Sequence, residues 1–283
     1  MIRLTRQDVL AHQHTVPWPE AYQIEQDLLL SLAMRAIFSD EFLRTQVAMR
    51  GGTVLHKVHL APAARYSEDI DLVVFGDRPE EHVRKALMRV LQPILGREQS
   101  WAWTDIKLAV RNAVAKSRIL RCIYKIPSVI EPGRTLTIEV ETNVSERTPH
   151  LELMHPSFEF PFRDETLSTS LISFHLNEML ATKMRALFQR RKGRDLFDLH
   201  AAITRGNAKV LSLDTVIAAF QHYMRAEKTR VPRSEFIEHL HDCLRDRVGF
   251  CTDLNGFLRQ GEKWDPDAAG TAIEQQILAR LPE

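Results

Sequence analysis

The segment Gly51-Gly52-Thr53, followed by Arg65-Tyr66-Ser67-Glu68-Asp69-Ile70-Asp71-Leu72, constrains this chain more than any other. Asp69 and Asp71 stand one residue apart at the mouth of the apolar run Ile70 to Phe75, which Gly76 ends and which reads as a buried strand. Strand side chains alternate, so both carboxylates leave the same face. Two like charges side by side are costly unless a cation lies between them, and Mg²⁺ favours carboxylate oxygens together with substrate phosphates. The glycine turn lets backbone approach a ligand, and it offers N–H groups and the Thr53 hydroxyl to an anion at a helix start. A lone Asp-x-Asp is common and often only an exposed loop. The full arrangement of glycine turn, short helix, Arg, Ser, Asp-x-Asp and apolar strand is far more specific.

The rest of the chain is read around that unit. Glu20 to Ser39 predicts a helix, with Ile24, Leu28, Leu32 and Ile37 near helical spacing and Pro17 and Pro19 before its start. Val47 to Arg50 predicts a short strand running into the glycines. Val54, Leu55, Val58 and Leu60 predict a short helix after them, and Glu80 to Leu95 an amphipathic one. Trp103 to Asn112, Arg118 to Ile126 and Thr135 to Thr142 read as strands of a mixed or antiparallel sheet, with Glu131-Pro132-Gly133 as a turn. From His175 the pattern is helical, near 176–190, 195–205, 213–227, 233–246 and 267–281. The shift near Phe162 to Ser173 places an α/β domain at 1–165 and a helical domain at 166–283.

Composition excludes several classes. With 44% hydrophobic and 27% charged residues the chain is ordinary for a globular protein, neither disordered nor a rod. A net charge of +1 rules out a blanket of positive charge but not a local basic patch. Cys122, Cys243 and Cys251 are too scattered for a disulfide framework, and a reducing cytoplasm is the expected compartment. The first eighteen residues show no signal-peptide pattern. Leu28 to Phe38 is interrupted by Arg35 and is too short to span a bilayer, so no membrane is expected.

A third carboxylate should come from a neighbouring strand. Leu136 to Glu141 alternates, with Glu139 and Glu141 on the face opposite Leu136, Ile138 and Val140. Either glutamate can complete a metal site; Glu139 is favoured because apolar strand residues flank it on both sides. A second cluster follows in Lys183 and in Arg190-Arg191-Lys192-Gly193-Arg194-Asp195-Leu196-Phe197-Asp198. Lys183 lies on a helix with Met179, Leu180, Ala186 and Leu187 on its apolar face, and can act as a point charge for a triphosphate. Asp195 opens the next helix, where a carboxylate suits the positive dipole end. Arg185, Arg190, Arg191, Lys192 and Arg194 form the densest basic run. It reads equally as a solvated helix end or as an RNA-backbone contact.

These motifs, in this order and spacing from about Arg50 to Leu199, resemble the AbiEii/AbiGii toxin family of nucleotidyltransferase-like toxins in type IV toxin–antitoxin systems, which is similar to mycobacterial toxins that modify tRNA. The resemblance implies a nucleotidyltransferase fold, with a mixed sheet and helices plus an all-helical C-terminal region. It implies Mg²⁺-dependent transfer of NMP from an NTP to an acceptor hydroxyl, with release of pyrophosphate. On that reading Asp69, Asp71 and Glu139 hold metal, and Gly51, Gly52 and Thr53 cradle phosphates. Lys183 and Arg65 stabilise charge on the pyrophosphate, and Asp195 orients Lys183 or the nucleotide. The basic run then contacts RNA, the acceptor is the 3′ end of tRNA, translation is blocked, and a cognate antitoxin is the partner. The rival readings are NMP transfer to a protein or small molecule, and an inactive module that docks an antitoxin or RNA.

Ser67 shares the carboxylate face if strand geometry already holds there. Its hydroxyl reads first as a hydrogen bond that shapes the turn and, on the resemblance, as a nucleotide contact. The sharper reading is a control point, since a phosphate on it would place roughly −1.5 to −2 charge beside Asp69 and Asp71. Other motifs are absent: there is no P-loop, no Gly-x-Ser-x-Gly elbow and no His-Glu-x-x-His. His239, His241, Cys243 and Cys251 fit no standard zinc spacing.

Overall fold

The computed structural model describes residues 4–110, 113–206 and 209–283, with side chains described for all of these except 105–110 and 113–117. Five strands form one mixed sheet in the order β1 (Val47–Arg50), β2 (Asp69–Val74), β5 (Thr135–Asn143), β4 (Ala113–Pro127) and β3 (Ser100–Val110). β2 and β5 are parallel, and the other pairings are antiparallel. The three expected β-rich runs are these last three strands, except that Arg111 and Asn112 lie outside the described residues.

Alternation in β5 buries Leu136, Ile138 and Val140 and leaves Glu139 and Glu141 half-exposed. β2 likewise buries Ile70 and Leu72 and leaves Asp69 and Asp71 half-exposed. Both strands therefore give one face to the core and a carboxylate row to the other. α2 (Ala21–Ser39) is buried nearly all round, as befits a helix packed on several sides. Its polar residues are consumed by bonds. Gln26 donates to the carbonyls of Glu68 (3.2 Å) and Thr137 (2.9 Å), so it braces the mouths of β2 and β5. Asp27 accepts from Trp18 Nε1 at 2.9 Å and pairs with Lys57 at 2.7 Å. α4 (Glu80–Leu95) buries Val83, Leu87, Leu91 and Leu95.

Two elements escaped the sequence pattern. α1 (Arg6–His12) is seven residues long and is started by a Thr5/Asp8 capping box; the S/T-x-x-acid signal was present but too short to register as a periodic helix. The β6 (Ser157–Phe162) and β7 (Glu165–Ser170) hairpin occupies the segment read as a boundary. After it, the chain returns to β1: the Met49 N–H donates to Ile172 O at 2.7 Å, and the Phe174 N–H donates to Met49 O at 2.9 Å. The division expected at 165/166 thus falls inside β7. One buried apolar cluster runs from α2 through the sheet to Leu281, so both regions share a core.

The C-terminal helices follow their expected spans closely: α5 (Leu176–Arg190), α6 (Gly193–Arg205), α7 (Leu213–Ala226), α8 (Arg233–Arg245) and α9 (Pro266–Gln276). α5 packs on α6 and α7 and faces the carboxylate row of the sheet. Among the described residues, no helix is long and apolar enough to cross a membrane.

Candidate active site

The glycine turn is tightly specified. Gly51 has φ +86°, and a Cβ there would lie 1.9 Å from Asp71 Oδ2, so only glycine fits this close approach. A Cβ on Gly52 would lie 2.6 Å from Arg65 Nη2 and 3.0 Å from Ser67 Oγ. α3 (Gly51–Val54) starts at the first glycine and continues into a π-turn over Leu55–His59. Thr53 is fully buried, and its hydroxyl donates to the Asp69 carbonyl. That hydroxyl therefore pins the mouth of β2 rather than facing the cleft.

Asp69 and Asp71 do share a face, as strand alternation requires, and they border a cleft between the sheet and α5. Burial pushes the Asp69 carboxyl up to about 7, and the neighbouring Asp71, Glu68, Glu139 and Glu141 charges add to the shift. Asp71 is also raised, by burial and then by Glu141, against the opposing pull of Lys183 and Arg50. Clustered carboxylates with surplus negative charge are the donor set a hard divalent cation needs. Mg²⁺ held by Asp69, Asp71 and a third carboxylate fits these residues. Among the described residues no three metal-ligating groups are already gathered around one point.

The third carboxylate differs from the expectation. In register, Glu139 lies opposite Asp69 and Glu141 opposite Asp71. The two side chains are equally exposed, at 26% and 25%, so the depth argument for Glu139 disappears. Glu141 is the one that lines the cleft beside Asp71. Arg121 on β4 pairs with both glutamates, a cross-strand contact that the spacing within β5 could not reveal.

The carboxylate cluster has a thermodynamic consequence. A carboxyl raised on folding adds stability while protonated, and that contribution is lost as pH rises through about 7. In EDTA, Asp69→Asn is expected to melt about 4 °C above the parent at pH 8, with the gap narrowing as pH falls below about 7 and closing near about pH 4. Equal melting points at pH 8 would show that the carboxylate repulsion is not stored in the fold.

Opposite the carboxylates stands a buried ionic hub. Asp198 accepts from Arg65 Nε (2.6 Å) and Nη2 (2.8 Å), and it lies 2.8 Å from both Lys183 Nζ and His56 Nε2. Asp195 lies 3.1 Å from Lys183 Nζ and takes two bonds from Arg190 at 2.7 and 2.8 Å. Burial opposes ionisation of both aspartates. Arg65 and Lys183 nevertheless hold Asp198 well below the usual carboxylate range, and Lys183 and Arg190 lower Asp195. Burial depresses His56 as well, so its imidazole is neutral and donates to Asp198. Both aspartates are fully buried. They orient the cations, of which Arg65, Lys183 and Arg190 reach the cleft.

The cleft has two chambers, open to solvent, that share Asp71, Glu141, Lys183 and Arg190. Gly52, Arg65, Ser67, Asp69, Lys192 and Arg194 line the first. The basic run does not form one surface, because α5 ends at Arg190, the chain reverses at Arg191 (φ +46°) and α6 begins at Gly193. Arg185 is buried and pairs with Glu146 and Glu227 in the second chamber. Arg191 turns to the Asp242 carbonyl at 2.8 Å. Lys192 and Arg194 border the first chamber beside Asp253.

Several functional residues had no role in the sequence reading. His56 joins the hub with no local signal, whereas Asp198 stood in the Arg194 to Asp198 run that carries the resemblance, without a role of its own. Arg50 and Glu146 pair beside the glycine turn, and Phe257 closes the first chamber from a loop with no periodicity. His239 and Cys243 approach within 3.4 Å, one helical turn apart on α8.

The geometry can be set against known proteins. Residues 32–272 match the model of the family described as nucleotidyl transferase AbiEii toxin of type IV toxin–antitoxin systems. The fold is similar to that of MenT4, a nucleotidyltransferase toxin from Mycobacterium tuberculosis H37Rv, at 18% identity and a TM-score of 0.60, over 99% of this chain and 91% of that chain. No curated protein matches the sequence. The family match covers most of the chain, including the glycine turn, the Asp-x-Asp strand and the ionic hub: the protein belongs to the AbiEii nucleotidyltransferase toxin family.

Proposed function

We propose that this nucleotidyltransferase uses Mg²⁺ and an NTP to add NMP to the 3′ acceptor end of tRNA, which blocks translation, and that a cognate antitoxin restrains it. The observation that carries the reading is the face-to-face cleft, with Asp69, Asp71 and Glu141 on the sheet side and Lys183, Arg190, Lys192 and Arg194 on the helical side. A triphosphate needs both faces, because its oxygens bridge metal and cationic side chains.

In the reaction the acceptor oxygen bonds to the α-phosphorus as the bond to the β-phosphate breaks. Pyrophosphate departs, and the hydroxyl proton is lost to solvent. Bound Mg²⁺ supplies charge neutralisation and a lower pKa for the attacking hydroxyl. Asp69 and Asp71 position the metal, and Gly51 and Gly52 keep backbone close to the phosphates. Lys183, fixed by Asp195 and Asp198, meets the charge that develops on pyrophosphate. Arg65 braces Asp198 from the chamber wall. The resemblance to tRNA-modifying toxins supports RNA as acceptor, and exposed Lys192 and half-exposed Arg194 supply cations at the cleft border.

The direct test incubates the protein with each labelled NTP, Mg²⁺ and total cellular RNA. Label is expected on tRNA-sized RNA. Label on protein, or on no macromolecule, would remove the tRNA assignment. Ser67 borders the same chamber as Glu68, Asp69 and Asp71. Ser67→Asp is expected to lower transfer by about tenfold or more, through added repulsion of the triphosphate, and Ser67→Ala by less than about threefold. Steady-state transfer rates compare the two, and an active Ser67→Asp protein would end the idea of charge control there.

A further inference from the structure

The two chambers differ in electrostatics. In the first, Lys192 (3.7 Å) and Arg194 (3.2 Å) share the single carboxylate of Asp253, and Glu68 and Asp69 line the same chamber. Phosphate there meets incompletely paired cations together with carboxylates that a divalent cation would neutralise. In the second, Arg50 and Arg185 meet Glu146 and Glu227. Arg185 Nη1 lies 2.8 Å from Glu146 and 3.2 Å from Glu227, and its guanidinium sits 4.8 Å from the Tyr223 ring centroid. Arg50 pairs with Glu146 and sits 5.9 Å from the Phe174 centroid. Paired one for one and packed against aromatic rings, these cations offer little to a phosphate.

The second chamber offers shape and hydrogen bonds instead. α5 presents Thr182, Ala186 and Gln189 at helical i, i+4, i+7 spacing, so one face of the helix lines it. Ile119 of β4 and Asn143 of β5 line it from the sheet. Gln189 Nε2 donates to Glu227 Oε2 at 2.7 Å, which fixes the amide and leaves its carbonyl oxygen as an acceptor.

We propose that this second chamber is a nucleobase pocket in which Gln189 reads the base edge and Ala186 sets the width; the proposal rests on the nucleotidyl-transfer reading above. A base is a neutral, planar heterocycle with donors and acceptors on its rim. It suits a charge-balanced slot between Ile119 and Ala186 with a fixed amide at one end. The triphosphate belongs to the first chamber, with Lys192, Arg194 and the carboxylates that would hold metal. The shared residues Asp71, Glu141, Lys183 and Arg190 mark where the reacting phosphorus sits. The base comes from the NTP or from the terminal nucleotide of the acceptor, and the experiment separates them.

Ala186→Leu and Gln189→Ala are made in the full chain. Calorimetry with Mg²⁺ measures the affinities of the four NTPs and of inorganic tripolyphosphate. Transfer kcat/KM is measured on RNA oligonucleotides ending in A, C, G or U. Tripolyphosphate affinity is expected to stay within about twofold of the parent, while one series shifts by about fivefold or more. A shift among NTPs assigns the pocket to the donor base, and a shift among RNA ends assigns it to the acceptor. Variants that melt like the parent yet keep its ratios in both series overturn the pocket. Parallel loss of tripolyphosphate and NTP affinity also overturns it, because phosphate would then occupy this chamber. If the parent labels no RNA, the tRNA reading fails by itself. The comparison of NTP with tripolyphosphate then decides the pocket: a preference lost in the variants supports it, and an unchanged preference overturns it.

Discussion

An Asp71→Ala protein is expected to fold normally and to lose nucleotidyl transfer by about 10²–10³-fold or more. The two halves of that result have separate causes. Asp71 carries a raised carboxyl, against burial and Glu141, so its ionised form adds nothing to the stability of the metal-free fold. Its loss relieves repulsion in the row with Asp69 and Glu141. The same change removes the carboxylate proposed to hold Mg²⁺ at the point where the two chambers meet. Thermal melting and single-turnover transfer of labelled NMP, run on the same preparation, check both halves. A variant that transfers at the parent rate would take the metal, and with it the mechanism, away from β2.

Asp198→Ala is expected to have the opposite profile, with loss of fold stability and activity together. The carboxylate is fully buried and faces Arg65, Lys183 and His56. Removing it leaves the buried Arg65 guanidinium without its bidentate partner, at a cost of about 3–5 kcal/mol. The melting point should fall by about 10 °C. Asp198→Asn keeps the shape but not the charge and should fall between parent and alanine variant. Denaturant unfolding and transfer rates at a temperature where all three are folded separate stability from catalysis. An Asp198→Ala protein that melts within about 2 °C of the parent would show that the hub does not hold α6 to the glycine turn.

The contrast between these aspartates bears on how much was legible beforehand. The Gly-Gly-Thr turn, the Asp-x-Asp strand and the lysine helix are local patterns, and each follows from glycine φ, strand alternation or helical spacing. Those rules operate over a few residues, so Gly51, Asp69, Asp71 and Lys183 could be picked out and their elements placed. The β6–β7 hairpin and α1 were missed because short elements carry too few periods to stand out.

Pairings between distant segments follow no such rule. Whether Glu139 or Glu141 borders the cleft depends on the parallel register of β5 on β2 and on Arg121 across the sheet. Whether Arg185 faces RNA or a buried glutamate depends on where the loop after β5 brings Glu146. Asp198 becomes a hub because folding brings residues 56, 65 and 183 to one buried point. Burial turns a helix carboxylate into a counter-ion for Arg65 and Lys183, and burial belongs to the packed whole. Local chemistry thus picked out the candidate groups. Long-range packing assigned their partners, because desolvation and charge pairing depend on neighbours that chain order does not specify.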